Sequence, residues 1–149
     1  MNSAKGEKKY DRIIIGAGAA GLYFAANCPA GKGLFLEKSP SPGQKLLLSG
    51  GGQCNLTHNG SIKDFINHYG NNGSKIRSAL YRGNNLLLMK FFTEQGLLLK
   101  ERPDGKVFPE SEQASQILNL LLDLSVKNGW ELKAETPLQT LSMRNDGLF

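Results

Sequence analysis

The chain has 149 residues, of which 40% are hydrophobic and 21% charged, with a net charge of +5. That balance belongs to an ordinary globular domain with a real core, and it excludes disordered and fibrous classes. A mild positive excess suits an anionic ligand, but no Lys/Arg-rich helix and no interleaving of basic with aromatic residues stands out, so a nucleic-acid partner is not expected.

No apolar run approaches the ~18 residues that a membrane span needs. The polar start, MNSAKGEKKYD, lacks the apolar core of a signal peptide, and a cytoplasmic protein without a membrane partner is expected. Cys28 and Cys54 form neither a CxxC pair nor a zinc spacing, so no metal site is expected.

Residues 1–9 read as a loose tail. Asp11-Arg12-Ile13-Ile14-Ile15 is a short β-branched run stopped by Gly16, the signal of a buried strand. Small apolar residues from 18 to 28 suit a helix that ends before Pro29. Gly33-Leu34-Phe35-Leu36-Glu37 is a second strand, so the order predicts a βαβ unit with parallel strands. Residues 38–60, with two prolines and many glycines, read as a long loop.

Residues 62–95 read as helices broken at Gly70-Asn71-Asn72-Gly73 and Gly83-Asn84-Asn85. Leu97–Lys100 and Lys106–Phe108 are strand candidates around the turn Pro103-Asp104-Gly105. Ser111 is the expected N-cap of an apolar helix, with Glu112 at the favourable end of its dipole and Asn128-Gly129 as its stop. Trp130–Ala134 alternates as a strand that joins the first sheet, and Leu138–Met143 is another candidate. Arg144-Asn145-Asp146-Gly147 is a hairpin signal followed by only two residues, which suggests a chain that stops inside a hairpin of a larger protein. The expected fold is α/β: a Rossmann-like domain with a parallel sheet, truncated before completion, plus the start of a β-meander.

Gly16-Ala17-Gly18-Ala19-Ala20-Gly21 reads GxGxxG between the first strand and the helix, and Glu37 follows Gly16 by 21 positions. Gly16 permits the tight turn, Gly18 lets the backbone approach a pyrophosphate, and Gly21 lets helix and strand pack closely. The helix N-terminus offers free N–H groups to phosphate. Glu37 can accept ribose hydroxyls and disfavours a 2′-phosphate, which points to the adenosine end of NAD or FAD.

A second glycine motif follows. Pro42-Gly43-Gln44-Lys45 precedes Ser49-Gly50-Gly51-Gly52-Gln53-Cys54-Asn55-Leu56-Thr57-His58. Three glycines permit positive φ and bring main-chain N–H groups to a phosphate or a flat ring. Lys45 adds a charge, and Asn55 and Thr57 supply hydrogen bonds. NAD enzymes do not usually carry such a loop, whereas a flavin has a tricyclic ring to enclose.

Together, GAGAAGL, LEKSPSPGQKLLLSGGGQCNLTH and DGKVFPESEQAS resemble the NAD(P)/FAD-dependent oxidoreductases of the aminoacetone-oxidase family, which are glutathione-reductase-like flavoproteins. The resemblance runs from about Tyr10 onward. It implies FAD as cofactor, with hydride transfer through the flavin and NAD(P)H and a small molecule as partners of the longer family members. It implies pyrophosphate contacts at Gly16, Gly18, Ala20 and Gly21, with Ala17 and Ala19 of the same turn also among the cofactor-binding residues. Glu37 and Lys38 would hold the adenosine ribose. Lys45, Ser49, Gly50, Gly51, Gly52, Cys54, Asn55 and Thr57 would line the flavin side, and the backbone near Leu138 would meet the adenine. This chain departs from the family pattern at Gln53, where Arg is usual, at His58, where Asn is usual, and at Lys106, where Arg is usual; the loss of a guanidinium at 53 weakens anchoring of the flavin region.

No catalytic acid or base is assigned. Cys54 is expected to pack rather than react, His58 to bond backbone, His68 to lie on a helix surface, and Arg102, Asp104 and Lys106 to form a solvated turn. The leading expectation is the FAD-binding portion of a flavin-dependent oxidoreductase. The alternatives are a non-catalytic truncated remnant and an NAD-binding Rossmann module.

Overall fold

The computed structural model describes residues 8–143 and divides them into two compact units. One comprises the chain up to Leu46 and from Leu118 onward; the other is Leu47–Ile117.

The first unit is built on a parallel sheet. Strand β1 (Arg12–Ile15) leads through helix α1 (Ala19–Asn27) to β2 (Gly33–Leu36), and the two strands pair in parallel as the βαβ reading expects. Strand β6 (Trp130–Lys133) pairs with the other side of β2, giving the order β1-β2-β6. Leu22, Ala25, Phe35, Leu121 and Trp130 form the core. The Trp130 indole lies 5.1 Å from the Phe35 ring and edge-on to Phe24 at 6.3 Å. Position 33 must be glycine for this, because a Cβ there would run into the indole.

Helix α6 (Ala114–Lys127) ends at Asn128-Gly129, with Gly129 at φ +84, the left-handed stop expected from the sequence. The Asn128 amide donates to the carbonyls of Ala25 and Ala26, both at 3.0 Å, and so satisfies the C-terminal end of α1. Asn128→Ala is therefore expected to lower stability by about 1–2 kcal/mol. Urea denaturation measures this; an unchanged midpoint would show that water replaces both bonds.

The second unit carries an antiparallel sheet of β3 (Thr57–His58), β5 (Lys106–Pro109) and β4 (Leu99–Glu101), in the order β3-β5-β4. Helices α3 (Ile62–His68), α4 (Gly73–Arg82) and α5 (Asn85–Glu94) occupy the segment read as broken helices. The breaks have physical causes. Ser61 and Asn84 accept hydrogen bonds from Asp64 N–H and Leu87 N–H, capping α3 and α5. Buried Asn85 donates to the carbonyls of His58 and Gly60.

The structure corrects several expectations. The long loop at 38–60 contains α2 (Gln44–Leu48), a 3₁₀ turn at Ser49–Gly52 and β3. Ser111 does not cap α6, which begins at Ala114; its hydroxyl accepts from Gln113 N–H and donates to Gln116. Glu112 adopts φ +53 and pairs with Arg102 at 2.8 Å instead of serving the helix dipole. Arg102 is not a merely solvated residue. It stacks 3.8 Å over the Phe108 ring and donates to Gln53 Oε1 at 2.9 Å.

Residues 138–143 form no strand, because none of the described residues offers them a ladder partner. The expected hairpin turn at 144–147 lies outside the described residues, and so does most of the expected tail. Within that tail, Lys8 is held by Glu131 at 2.5 Å on the surface.

Candidate dinucleotide site

The glycine turn between β1 and α1 is set by backbone bonds on both sides. Gly16 N–H donates to Leu36 O, and Gly43 N–H donates to Ala17 O at 2.8 Å. Gly16 sits at φ +92, where an L side chain is strained. Glu37, at the end of β2, is only 8% exposed. Its two oxygens accept from Ala17 N–H at 2.7 Å and from Ser39 N–H at 2.8 Å. These backbone donors, Ser39 first and then Ala17, hold the carboxyl below its ordinary range, so it is ionised at neutral pH. The Ser39 hydroxyl and the Lys38 N–H act on the same carboxylate more weakly and in the same direction.

These residues line a cleft of ≈ 760 Å³ at the C-terminal ends of β1 and β2. That is where open parallel sheets bind ligands. Gly16, Ala17, Gly18, Glu37, Lys38, Lys45 and Leu138 all border it, so seven of the residues expected from sequence meet in one place. Ala19, Ala20 and Gly21 are not part of its lining. Gly21 instead serves packing: a Cβ there would lie 2.7 Å from Gly16 O and 2.9 Å from Ile14 Cγ2.

Ser39, Gly43 and Pro137 border the cleft without having been assigned to it from sequence. Gly43 carried a signal in its Pro-Gly turn; at φ +68 its missing Cβ also makes room for Leu118. Ser39 and Pro137 carried none, since backbone bonds bring them in. Thr136 N–H donates to Glu37 O at 2.8 Å and Glu135 N–H to Ser39 O at 3.1 Å, drawing the chain that ends in Pro137-Leu138 to the cleft.

Whether a dinucleotide fits is answered by the glycines. A Cβ on Gly18 would meet nothing within 4 Å, so the open space beside the N-terminus of α1 is free of protein. The first turn of α1 has no acidic residue and no side-chain cap, so its free N–H groups are uncontested donors for phosphate. Lys38 and Lys45 add positive charge at the border. The donor set suits an anionic, hydroxyl-bearing ligand.

Ser49, Gly50, Gly51, Gly52, Cys54, Asn55 and Thr57 fall in the second unit. Gly50, Gly51 and Gly52 take φ +58, +66 and +89, and Cys54 follows at φ +58. The run is a left-handed turn that needs its glycines. A Cβ on Gly50 would lie 2.7 Å from Asn55 N and 3.2 Å from the Phe108 ring, whereas Gly51 faces open space. Cys54 is buried, and burial pushes its thiol up, away from the reactive thiolate. His58 Nε2 lies 2.8 Å from the Asp104 carbonyl oxygen, the backbone role expected of it. Gln53 fills its place between Arg102 and Glu112, with Nε2 at 3.4 Å from the latter.

Residues 10–149 match the family model of the HI0933-like protein Rossmann domain. The chain belongs to that family. Family membership bears out the α/β Rossmann fold and, with it, FAD as the cofactor class. Among curated relatives, the chain is 34% identical over 140 residues to the ribosomal RNA dihydrouridine synthase of Haemophilus influenzae, covering 91% of this chain and 34% of that protein. The Escherichia coli protein of the same name is 34% identical over 118 residues, covering 78% and 29%. The 3-dehydro-bile acid delta(4,6)-reductase of Clostridium scindens is 33% identical over 112 residues, covering 72% and 27%. The chain thus spans about a third of the length of these family relatives. Among solved structures, Thermovibrio ammonificans THI4 matches with a TM-score of 0.50 and 15% identity, covering 84% of this chain and 38% of that one. At that identity the likeness concerns the fold alone. No helix among the described residues is long and apolar enough to cross a membrane.

Proposed function

We propose that this chain is the FAD-binding part of a flavin-dependent oxidoreductase of the aminoacetone-oxidase type, in which hydride passes through the flavin with NAD(P)H as a partner. The observation that carries this reading is the cleft at the glycine turn, with an open Gly18 on one side and the ionised Glu37 on the other. Gly16, Ala17 and Gly18 would lie along the pyrophosphate, with the first-turn amides of α1 donating to it. Glu37 would accept ribose hydroxyls while it clamps the glycine turn. Lys38 and Lys45 would balance phosphate charge, and Leu138 would cover the adenine. Bound FAD supplies the two-electron chemistry; the residues described bind and orient it.

The test is visible absorbance of the purified chain with added FAD, before and after gel filtration, with NAD as the competing ligand. Flavin bands that remain with the protein support the reading. A colourless protein that FAD does not stabilise overturns it, and tight NAD binding without flavin favours a nicotinamide module.

A second reading concerns the substrate. Two of the relatives named above act by name on ribosomal RNA and one on a bile acid, so family membership does not choose between them. One observation favours RNA: residues 62–90 carry five basic residues against one acid. This departs from the sequence-based expectation of no nucleic-acid partner.

A further inference from the structure

Residues 62–90 carry a net charge of +4: Lys63, Lys75, Arg77, Arg82 and Lys90 against Asp64. Lys90 is paired with Glu94 at 3.6 Å. Asp64 is engaged by the Ser61 hydroxyl at 2.6 Å. Among the described residues, Lys63, Lys75, Arg77 and Arg82 form no ion pair.

Helix α4 concentrates this charge on one side. Its half-buried residues are Ile76 and Leu80, its N-terminal Gly73 is buried against Ile66, and it packs mainly on α3. At ~100° per residue, Arg77, Tyr81, Ser74, Ser78, Arg82 and Lys75 then follow one another around an arc of about 160°. All six are exposed, with Tyr81 at 56%. No acidic residue interrupts the helix. A second exposed tyrosine, Tyr69, follows α3 at 52% exposure.

Three exposed cations without ion-pair partners, flanking an exposed aromatic ring, make a surface that attracts anions. A lipid surface is the weaker partner, since it would ask for a free apolar stripe and Ile76 and Leu80 already face the protein. An acidic peptide would use the charge and leave the tyrosines idle. Nucleic acid uses both: phosphates for the cations and unpaired bases for the rings.

We propose that the solvent face of α4, with Tyr69, binds RNA through its backbone phosphates and one or two unpaired bases. The choice of RNA rests on the second reading above; the surface itself is independent of the FAD cleft.

The experiment is fluorescence anisotropy of the full chain with a labelled RNA hairpin carrying an unpaired loop, at about 50 and 200 mM salt. Wild-type protein is expected to bind, and more weakly at higher salt. The triple variant K75Q/R77Q/R82Q is expected to flatten the slope of log affinity against log salt by about 2, at ~0.7 per lost phosphate contact. Tyr81→Ala is expected to weaken binding roughly tenfold at unchanged slope, the signature of a lost stacking contact. All these positions are exposed, and circular dichroism checks that each variant is folded. The proposal is overturned if wild type does not bind the hairpin, if the triple variant keeps its affinity and slope, or if anionic vesicles or poly-glutamate compete as well as unlabelled RNA. FAD binding by the same variants is expected to equal wild type. Loss of FAD binding in every protein, wild type included, would count against the cofactor reading alone.

Discussion

Replacing Gly18 by valine is expected to abolish FAD binding and leave the fold standing. Gly18 caps α1 at φ −88 and ψ −177, an extended conformation open to any residue. A Cβ there meets no protein atom within 4 Å, so folding does not require the glycine. The fold should therefore lose no more than about 1 kcal/mol, the scale of a poorer helix cap. A pyrophosphate bound as proposed would require it, because valine would fill the space through which it reaches the free amides of α1. Loss of that approach should weaken FAD by at least about 100-fold, or ~2.7 kcal/mol.

Gly21→Val provides the contrast. Its Cβ lies between α1 and β1, 2.7 Å from Gly16 O, and the clash should cost about 3 kcal/mol or more in stability. Titration with FAD and urea denaturation separate the two. Wild-type affinity in the Gly18 variant would mean that FAD does not use this cleft.

Glu37→Gln is expected to cost about 2 kcal/mol at neutral pH, because the amide NH₂ would face one of two buried N–H donors. The carboxylate accepts from both Ala17 and Ser39, and an amide can accept from only one side. The effect should depend on pH with a definite sign. Glu37 is held below the ordinary value of 4.5 by those two donors. Its contribution is therefore complete above that value and fades as pH falls through the lower, folded value. The stability gap between wild type and variant should accordingly narrow in acid, where the wild-type carboxyl also gains a proton. Urea midpoints at neutral and strongly acidic pH measure this. A gap of the same size at both would show that the charge is not what holds the turn. FAD affinity should fall about tenfold with the lost ribose acceptor, a change of ~1.4 kcal/mol.

Much of the first unit is legible because its causes are local. Three β-branched residues before a glycine make a strand, small residues after it make a helix, and the distance from Gly16 to Glu37 is that of one βαβ unit. The triple glycine announces a backbone that side chains cannot adopt, and Gly50, Gly51 and Gly52 all take positive φ. The same logic covers Asn128-Gly129 and the caps at Ser61 and Asn84.

What the sequence does not show depends on partners distant along the chain. Glu37 reads as a ribose ligand, but the fold also makes it a clamp on Ala17, and that bond exists only once β1 and β2 lie side by side. Ser39 and Pro137 reach the cleft through main-chain bonds, which leave no trace in residue type. Arg102 looks like turn surface until Phe108 and Gln53 come within reach, and Ser111 looks like a cap until Glu112 is drawn to Arg102. Leu138–Met143 has the residues of a strand but no ladder partner among the described residues, and a strand without one is only extended chain. Steric and periodic rules act within a few residues and can be read one residue at a time. Pairing, burial and the sharing of a carboxylate between two backbone amides are decided only when the folded chain brings distant segments together.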